Sequence, residues 1–271
     1  MRATFIGGGN MASALVGGLL QQGWPASELC VVEIDPRARA ALSSQFGVGV
    51  VADIPERLGP QEVVVLAIKP QHMLQVARDL RPRLGAQLVV TIAAGVRTRD
   101  LSRWLGGYDQ IVRVMPNTPA LVLAGISALY AIPAVGADAR AHADRILSAV
   151  GPTIWLEREE LMDAVTAVSG SGPAYVFYFM EAIMQAAEEL GLSPEQARRL
   201  TLETFYGAAS LARQSSESPA ALRIRVTSKG GTTERALSAM EAAAIKRHLV
   251  DAVKQAADRS RELGEQLGSA D

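Results

Sequence analysis

The chain has 271 residues, 49% of them apolar and 20% charged, with a formal net charge of −1. That length holds one large or two modest domains, and the apolar content suffices for a packed core. The near-neutral balance, without a clustered basic surplus, argues against nucleic acid or an anionic membrane as partner. No uninterrupted apolar run reaches about 18 residues, and the N-terminus enters a strand directly, so a cytoplasmic chain is expected. Cys30 is the only cysteine; an intrachain disulfide is impossible, and in the run Leu29–Val32 it reads as a buried, inert thiol. His72, His142 and His248 are scattered, so no metal site is expected.

Up to residue 157, short β-rich runs alternate with helical stretches: 3–6, 29–33, 63–68, 88–92, 111–115, 125–131 and 153–156. Several are continuously apolar, as strands covered on both faces must be, and the alternation predicts a doubly wound α/β sheet of Rossmann type over residues 1–157. Residues 158–271 carry no convincing strand and predict an all-helical domain. Within it, Gly191 reads as a helix stop and Ser193-Pro194-Glu195 as a helix start. Residues 173–187, PAYVFYFMEAIMQAA, are apolar nearly all round. They suit either the central helix of a monomeric bundle or a helix buried against a second copy, and the small helical domain favours a homodimer.

The first strand runs into G-x-G-x-x-A at Gly7, Gly9 and Ala12. Gly7 permits the tight turn, Gly9 lets a pyrophosphate approach the backbone, and Ala12 allows close packing of helix on strand. The helix beginning near Asn10 adds free N–H groups and its dipole. Ile6, Gly7, Gly9, Asn10 and Met11 are therefore candidate dinucleotide contacts. Glu33, ending the second strand, suits the ribose hydroxyls of NAD. Arg37 and Arg39, in the next turn, suit either the 2′-phosphate of NADP or a solvated helix face, and Asp35, which also suits a helix cap, joins Glu33 and Arg37 among the cofactor candidates. The choice between NADP and NAD stays open.

Ligands of open α/β sheets lie beyond the carboxyl ends of strands. Ala67-Ile68-Lys69-Pro70, Ala93-Ala94-Gly95 and Met115-Pro116-Asn117-Thr118-Pro119 follow the third, fourth and fifth expected strands. Small residues and prolines with a polar group suit a flat nicotinamide or ribose lying on backbone. Ala67, Lys69, Pro70, Ala93 and Ala94 join the cofactor candidates, and Lys69 is also a candidate for an electrostatic or relay role in catalysis.

IGGGNMASALVGGL, VLAIKPQ, TIAAGV, VMPNTPALV, SGSGPAYVF and TSKGGTTERAL stand in the order and spacing of pyrroline-5-carboxylate reductases, and the chain resembles that family over nearly its whole length. The resemblance implies a Rossmann domain followed by a helical dimerisation domain, homodimers that commonly assemble into decamers (pentamers of dimers), and reduction of a cyclic imine to L-proline by NAD(P)H. It also implies a substrate pocket beneath the nicotinamide, with Asn117 among its candidates. An amide-rich turn suits the substrate's carboxylate: successive N–H groups at Gly230, Gly231, Thr232 and Thr233 would form a concave anion site leading into a helix. By the resemblance, Thr233 also bonds the ring nitrogen and Ser228 lines the pocket. Lys229 departs from the family, where proline is usual. Ser169-Gly170-Ser171-Gly172 lacks nucleophile-elbow spacing and reads as small residues letting a helix pass close to the cofactor.

Two other readings are weighed. A β-hydroxyacid-type dehydrogenase would need a lysine on the helix over 173–190, which has none. A non-catalytic dinucleotide-binding scaffold would show no imine-dependent oxidation of NAD(P)H.

Overall fold

The computed structural model describes residues 1–60 and 62–269. Two compact units divide it, one comprising Met1–Ser171 with Gln255–Asp271, the other Gly172–Lys254. The first is built on eight strands: β1 (Ala3–Ile6), β2 (Leu29–Val32), β3 (Gly49–Val51), β4 (Val63–Leu66), β5 (Leu88–Thr91), β6 (Ile111–Met115), β7 (Ser127–Ala131) and β8 (Thr153–Trp155). They lie in the order β3-β2-β1-β4-β5-β6-β7-β8. Helices α1 (Asn10–Gln21), α2 (Pro36–Phe46), α3 (Met73–Leu80), α4 (Thr98–Trp104) and α5 (Ala137–Leu147) connect them.

The alternation of strand side chains explains the continuous apolar runs. Phe5, Val31, Val65 and Val90 point into one core with Leu15 and Leu19 of α1, while Ile6, Val32, Val64 and Leu66 point into a second with Leu80 and Leu101. Both faces are covered, so most positions on the central strands are apolar, and the exceptions Thr4, Thr91 and Arg113 are buried as well. The expected strands all form. β3 is an addition: three residues on an exposed edge leave little apolar signature. One correction concerns direction. β6 and β7 pair antiparallel, whereas the other pairs are parallel. Only a short turn containing Thr118–Val122 separates them, too little chain for a helical crossover.

The boundary expected at residue 157 is also moved. Helix α6 (Leu161–Val165) stays with the sheet, its Met162 fully buried, and widens into a π-type turn over Thr166–Gly170 in which Ser171 N donates to Thr166 O at 2.8 Å. Helix α11 (Ile245–Gly268) begins in the second unit, but its residues from Gln255 onward belong to the first. Ser260 Oγ there donates to Asp163 Oδ1 at 2.7 Å, and Arg103 Nη2 donates to Gly268 O at 2.6 Å.

The second unit contains α7 (Gly172–Glu189), α8 (Pro194–Gln214), α9 (Pro219–Arg225) and α10 (Thr232–Ala242), with α7 packed on α8. Ser193 starts α8 with a reciprocal capping box to Gln196, and Ser218 caps α9. The apolar residues of α7 find little cover within the chain. Phe177 is 58%, Tyr178 70% and, on α8, Tyr206 74% exposed. Large aromatic side chains left this exposed on two packed helices suit an interaction site. Among the described residues no helix is long and apolar enough to cross a membrane.

Candidate active site

The strand order reverses between β1 and β4, and the chain leaves the carboxyl ends of both beside each other. Gly7 makes the turn after β1 at φ +100°, and a Cβ there would sit 2.5 Å from the Ala67 carbonyl oxygen, so only glycine fits. Gly9 begins α1 without any side-chain cap, and a Cβ added to it would meet nothing within 4 Å. Open space in front of uncapped first-turn N–H groups is what a phosphate requires.

A cleft of about 640 Å³ extends from this turn, lined by Ile6, Gly7, Gly9, Glu33, Ala67 and Lys69. Asp53, His72 and Arg83 also line it, residues the sequence did not single out because they come from the loop after β3 and from helical segments after β4. A second hollow of about 340 Å³ is lined by Gly9, Asn10, Met11, Ala67, Lys69, Ala94, Met115, Asn117 and Gly170. Gly9, Ala67 and Lys69 line both. An extended ligand with two ends and a phosphate middle has the matching shape. The residues therefore fit a dinucleotide.

Glu33 is held firmly. Its Oε2 accepts from Gly8 N and its Oε1 from Asp35 N, both at 2.9 Å. Arg39 Nη1 donates to the carbonyl oxygens of Glu33 and Ile34, each at 2.8 Å. Asp35 caps α2 by accepting from Arg37 N at 2.8 Å.

Several expected cofactor contacts fall elsewhere. Asp35 and Arg37 do not line the cleft; Asp35 is spent on the helix cap, and Arg37 is exposed. Ala93, just beyond the end of β5, is buried in the apolar core at 5% exposure, whereas Ala94 in the following turn is exposed. Pro70 opens a short turn that orients Lys69 and lines neither hollow. Asn117 lines the smaller hollow, but its side chain bridges two backbones: Nδ2 donates to Ser169 O at 3.2 Å and Oδ1 accepts from Ile126 N at 2.9 Å. Gly170 brings the π-type turn against Met115, whose Cε would lie 2.4 Å from an added Cβ. That close approach accounts for Gly170, whereas a Cβ added at Gly172 would meet nothing within 4 Å. Ser169 Oγ donates to Val165 O at 3.1 Å, with no histidine beside it.

A buried network props up this wall. Arg113 on β6, 5% exposed, donates to Glu159 Oε1 at 2.9 Å, and the same carboxylate accepts from Thr98 N at 2.7 Å and from Thr98 Oγ1. It ties the start of α4, just beyond Ala94-Gly95, to the strand that ends in Met115. Cys30 is half-buried rather than fully buried. Burial, helped by the charge of Glu62, pushes its thiol up, which keeps it unreactive. Among the described residues no group of three or more His, Cys, Asp and Glu side chains is arranged to hold a metal.

In the second unit, Gly230 adopts φ +72° and Gly231 is the N-cap of α10. The four-amide site expected here is narrowed. Gly230 N donates to Glu234 Oε2 at 2.6 Å and Gly231 N to Ser228 O at 3.1 Å, so both are used within the turn. Thr232 and Thr233 begin the helix, where backbone N–H groups have no carbonyl one turn back. Ser228 and Lys229 are exposed.

Comparison with known proteins agrees with both halves of this description. Residues 2–95 match the family described as NADP oxidoreductase, coenzyme F420-dependent, and residues 159–263 match pyrroline-5-carboxylate reductase dimerisation. The pyrroline-5-carboxylate reductase of Pseudomonas aeruginosa is 48% identical across 98% of both chains. That of Pasteurella multocida is 39% identical across 96% of both. A solved pyrroline-5-carboxylate reductase from Coxiella burnetii gives a TM-score of 0.90 at 40% identity, covering 97% of this chain and 98% of its own. The Plasmodium falciparum pyrroline carboxylate reductase with NADP bound gives 0.85 at 26% identity, with 97% and 98% covered. With a nucleotide-binding cleft at the switch point of its sheet and full-length relatives at these identities, the chain belongs to the pyrroline-5-carboxylate reductase family.

Proposed function

We propose that this chain reduces 1-pyrroline-5-carboxylate to L-proline, the last step of proline biosynthesis, in the cytoplasm. The likeness to named pyrroline-5-carboxylate reductases across 98% of the chain carries this reading. When bound, the reduced nicotinamide supplies the hydride that the imine carbon accepts, and one proton on nitrogen completes the amine.

The protein's own residues bind, orient and exclude water. The first-turn N–H groups of Asn10 and Met11 hold the pyrophosphate, with Lys69 adding positive charge where the cleft and the smaller hollow meet. Ala94, Met115 and Gly170 give the hollow an apolar wall. Asn117 positions that wall through its two backbone hydrogen bonds. For the substrate's carboxylate, the N–H groups of Thr232 and Thr233 are the assigned donors, each charge-assisted bond worth about 1.5–3 kcal/mol. Gly230 and Gly231 shape the turn, Ser228 lies beside it, and the Thr233 hydroxyl is assigned to the ring nitrogen. Without a histidine or paired carboxylate in these segments, the proton comes from solvent through Thr233 or is already on the nitrogen at binding.

A second copy of the chain covers the apolar surface of α7 and α8, giving a homodimer, and five such dimers form the larger assembly expected of the family. Spectrophotometric loss of NADH or NADPH on adding 1-pyrroline-5-carboxylate tests the reaction; no imine-dependent oxidation would refute it. Thr233→Ala should lower kcat/KM about tenfold or more, and an unchanged value would remove its assigned role.

A further inference from the structure

We infer that Glu33 makes this enzyme an NADH-preferring reductase. The inference rests on the dinucleotide reading of the cleft above, and it concerns only the adenosine end. Glu33 stands at the carboxyl end of β2 and lines the 640 Å³ cleft. Two backbone N–H groups, Gly8 and Asp35, fix one oxygen each at 2.9 Å. A carboxylate held at both oxygens is fixed on the wall of the cleft, and each oxygen keeps a lone pair free to accept another bond. They suit the two hydroxyls of an adenine ribose, which donate hydrogen bonds, and they repel a 2′-phosphate, which cannot.

The surrounding charges act the same way. Asp53, from the residues following the neighbouring strand β3, lines the same cleft. Asp35 adds a third carboxylate at the cap of α2. Of the cations that would favour a 2′-phosphate, Arg39 and Arg83 are partly engaged by backbone carbonyls and Arg37 lies off the cleft. Arg39 places Nη1 on the carbonyl oxygens of Glu33 and Ile34 at 2.8 Å, within its own turn. Arg37 is exposed and does not line the cleft. Arg83 lines it from beyond α3 and donates to the Asp79 carbonyl oxygen.

Isothermal titration of the intact protein with NADH and NADPH, in the absence of imine, reads the preference directly. NADH should bind at least about tenfold more tightly, a gap of about 1.4 kcal/mol. NADPH binding as tightly or more tightly would overturn the inference. Competition against NADH by ADP and by 2′,5′-ADP isolates the ribose without any substitution, and ADP should win by a similar factor; equal competition would count against Glu33. Glu33→Ser should shrink the NADH to NADPH ratio about tenfold. A uniform weakening of both would mean that the carboxylate merely shapes the turn. Arg37→Ala should leave NADPH affinity unchanged, and a collapse would identify Arg37 as a 2′-phosphate partner and refute the argument. Dinucleotide binding as expected with no imine reduction would instead overturn only the proposed reaction.

Discussion

Two glycines two positions apart make opposite predictions, which turns the phosphate-turn argument into a measurable contrast. A methyl at Gly7 would lie 2.5 Å from the Ala67 carbonyl oxygen and 2.8 Å from Ile68 Cγ2, both inside the 3.0 Å floor that real Cβ atoms observe. The backbone there is also at φ +100°. An L side chain in left-handed backbone costs about 1–2 kcal/mol, and forcing neighbouring backbone apart adds about 1–3 kcal/mol. Gly7→Ala should therefore destabilise the free protein by about 2–5 kcal/mol, a fall in Tm of roughly 2–4 °C per kcal/mol. At Gly9 the backbone is extended, at φ −70° and ψ −177°, and an added Cβ meets nothing within 4 Å. Gly9→Ala should change stability by less than about 1 kcal/mol, the scale of an N-cap substitution. Yet it fills the space reserved for the pyrophosphate. Losing one charge-assisted hydrogen bond, worth about 1.5–3 kcal/mol, already weakens binding by more than tenfold. Calorimetric titration with NADH and a thermal melt on each variant separate the effects. Wild-type dinucleotide affinity in Gly9→Ala would refute the placement of the phosphate at this helix start.

Three further outcomes are expected. Glu159→Ala strips the partner from buried Arg113 and the acceptor from Thr98, and should cost about 3–5 kcal/mol; a melt within 2 °C of the parent, using about 2–4 °C per kcal/mol, would contradict the network's role. Tyr108 is half-buried and has its phenol pushed up to about 12, by burial first and Asp109 second. Because the folded pKa lies above the usual 10.0, its share of stability is full below that value and is lost as pH rises toward 12; the tyrosinate absorbance that develops only near pH 12 should vanish in Tyr108→Phe. Phe177→Glu places a charge on the exposed apolar face of α7 and should convert the assembly to monomers in sedimentation analysis; an unchanged mass would move the interface elsewhere.

Much of the fold was legible because it rests on local chemistry. Continuous runs such as Val63–Leu66 announce strands buried on both faces, and the Gly7-x-Gly9 turn carries its own steric reasons. The helical second half was equally plain from spacing and from the Ser193 cap. The candidate site was legible where it lies at strand ends, as at Ala67, Lys69 and Asn117. It was not legible where a residue arrives from a distant segment. Asp53, His72 and Arg83 enter the cleft only because β3 pairs with β2 and helical segments follow β4, and no local pattern reports that.

By itself, then, the order of residues determined the alternation of strand and helix, the phosphate turn, and a helix α7 that is apolar nearly all round. These depend on neighbours a few positions apart, through backbone angles and side-chain periodicity. Tertiary structure alone decided which polar groups are already spent. Gly230 N is satisfied by Glu234, Arg39 by carbonyls of its own turn, and Asn117 by Ser169 and Ile126. It also decided that β7 runs against β6, and that the end of α11 returns to the first unit. The reason is that a hydrogen bond or a packing contact is made once, with whichever partner folding brings within about 3 Å, and sequence separation does not limit that choice.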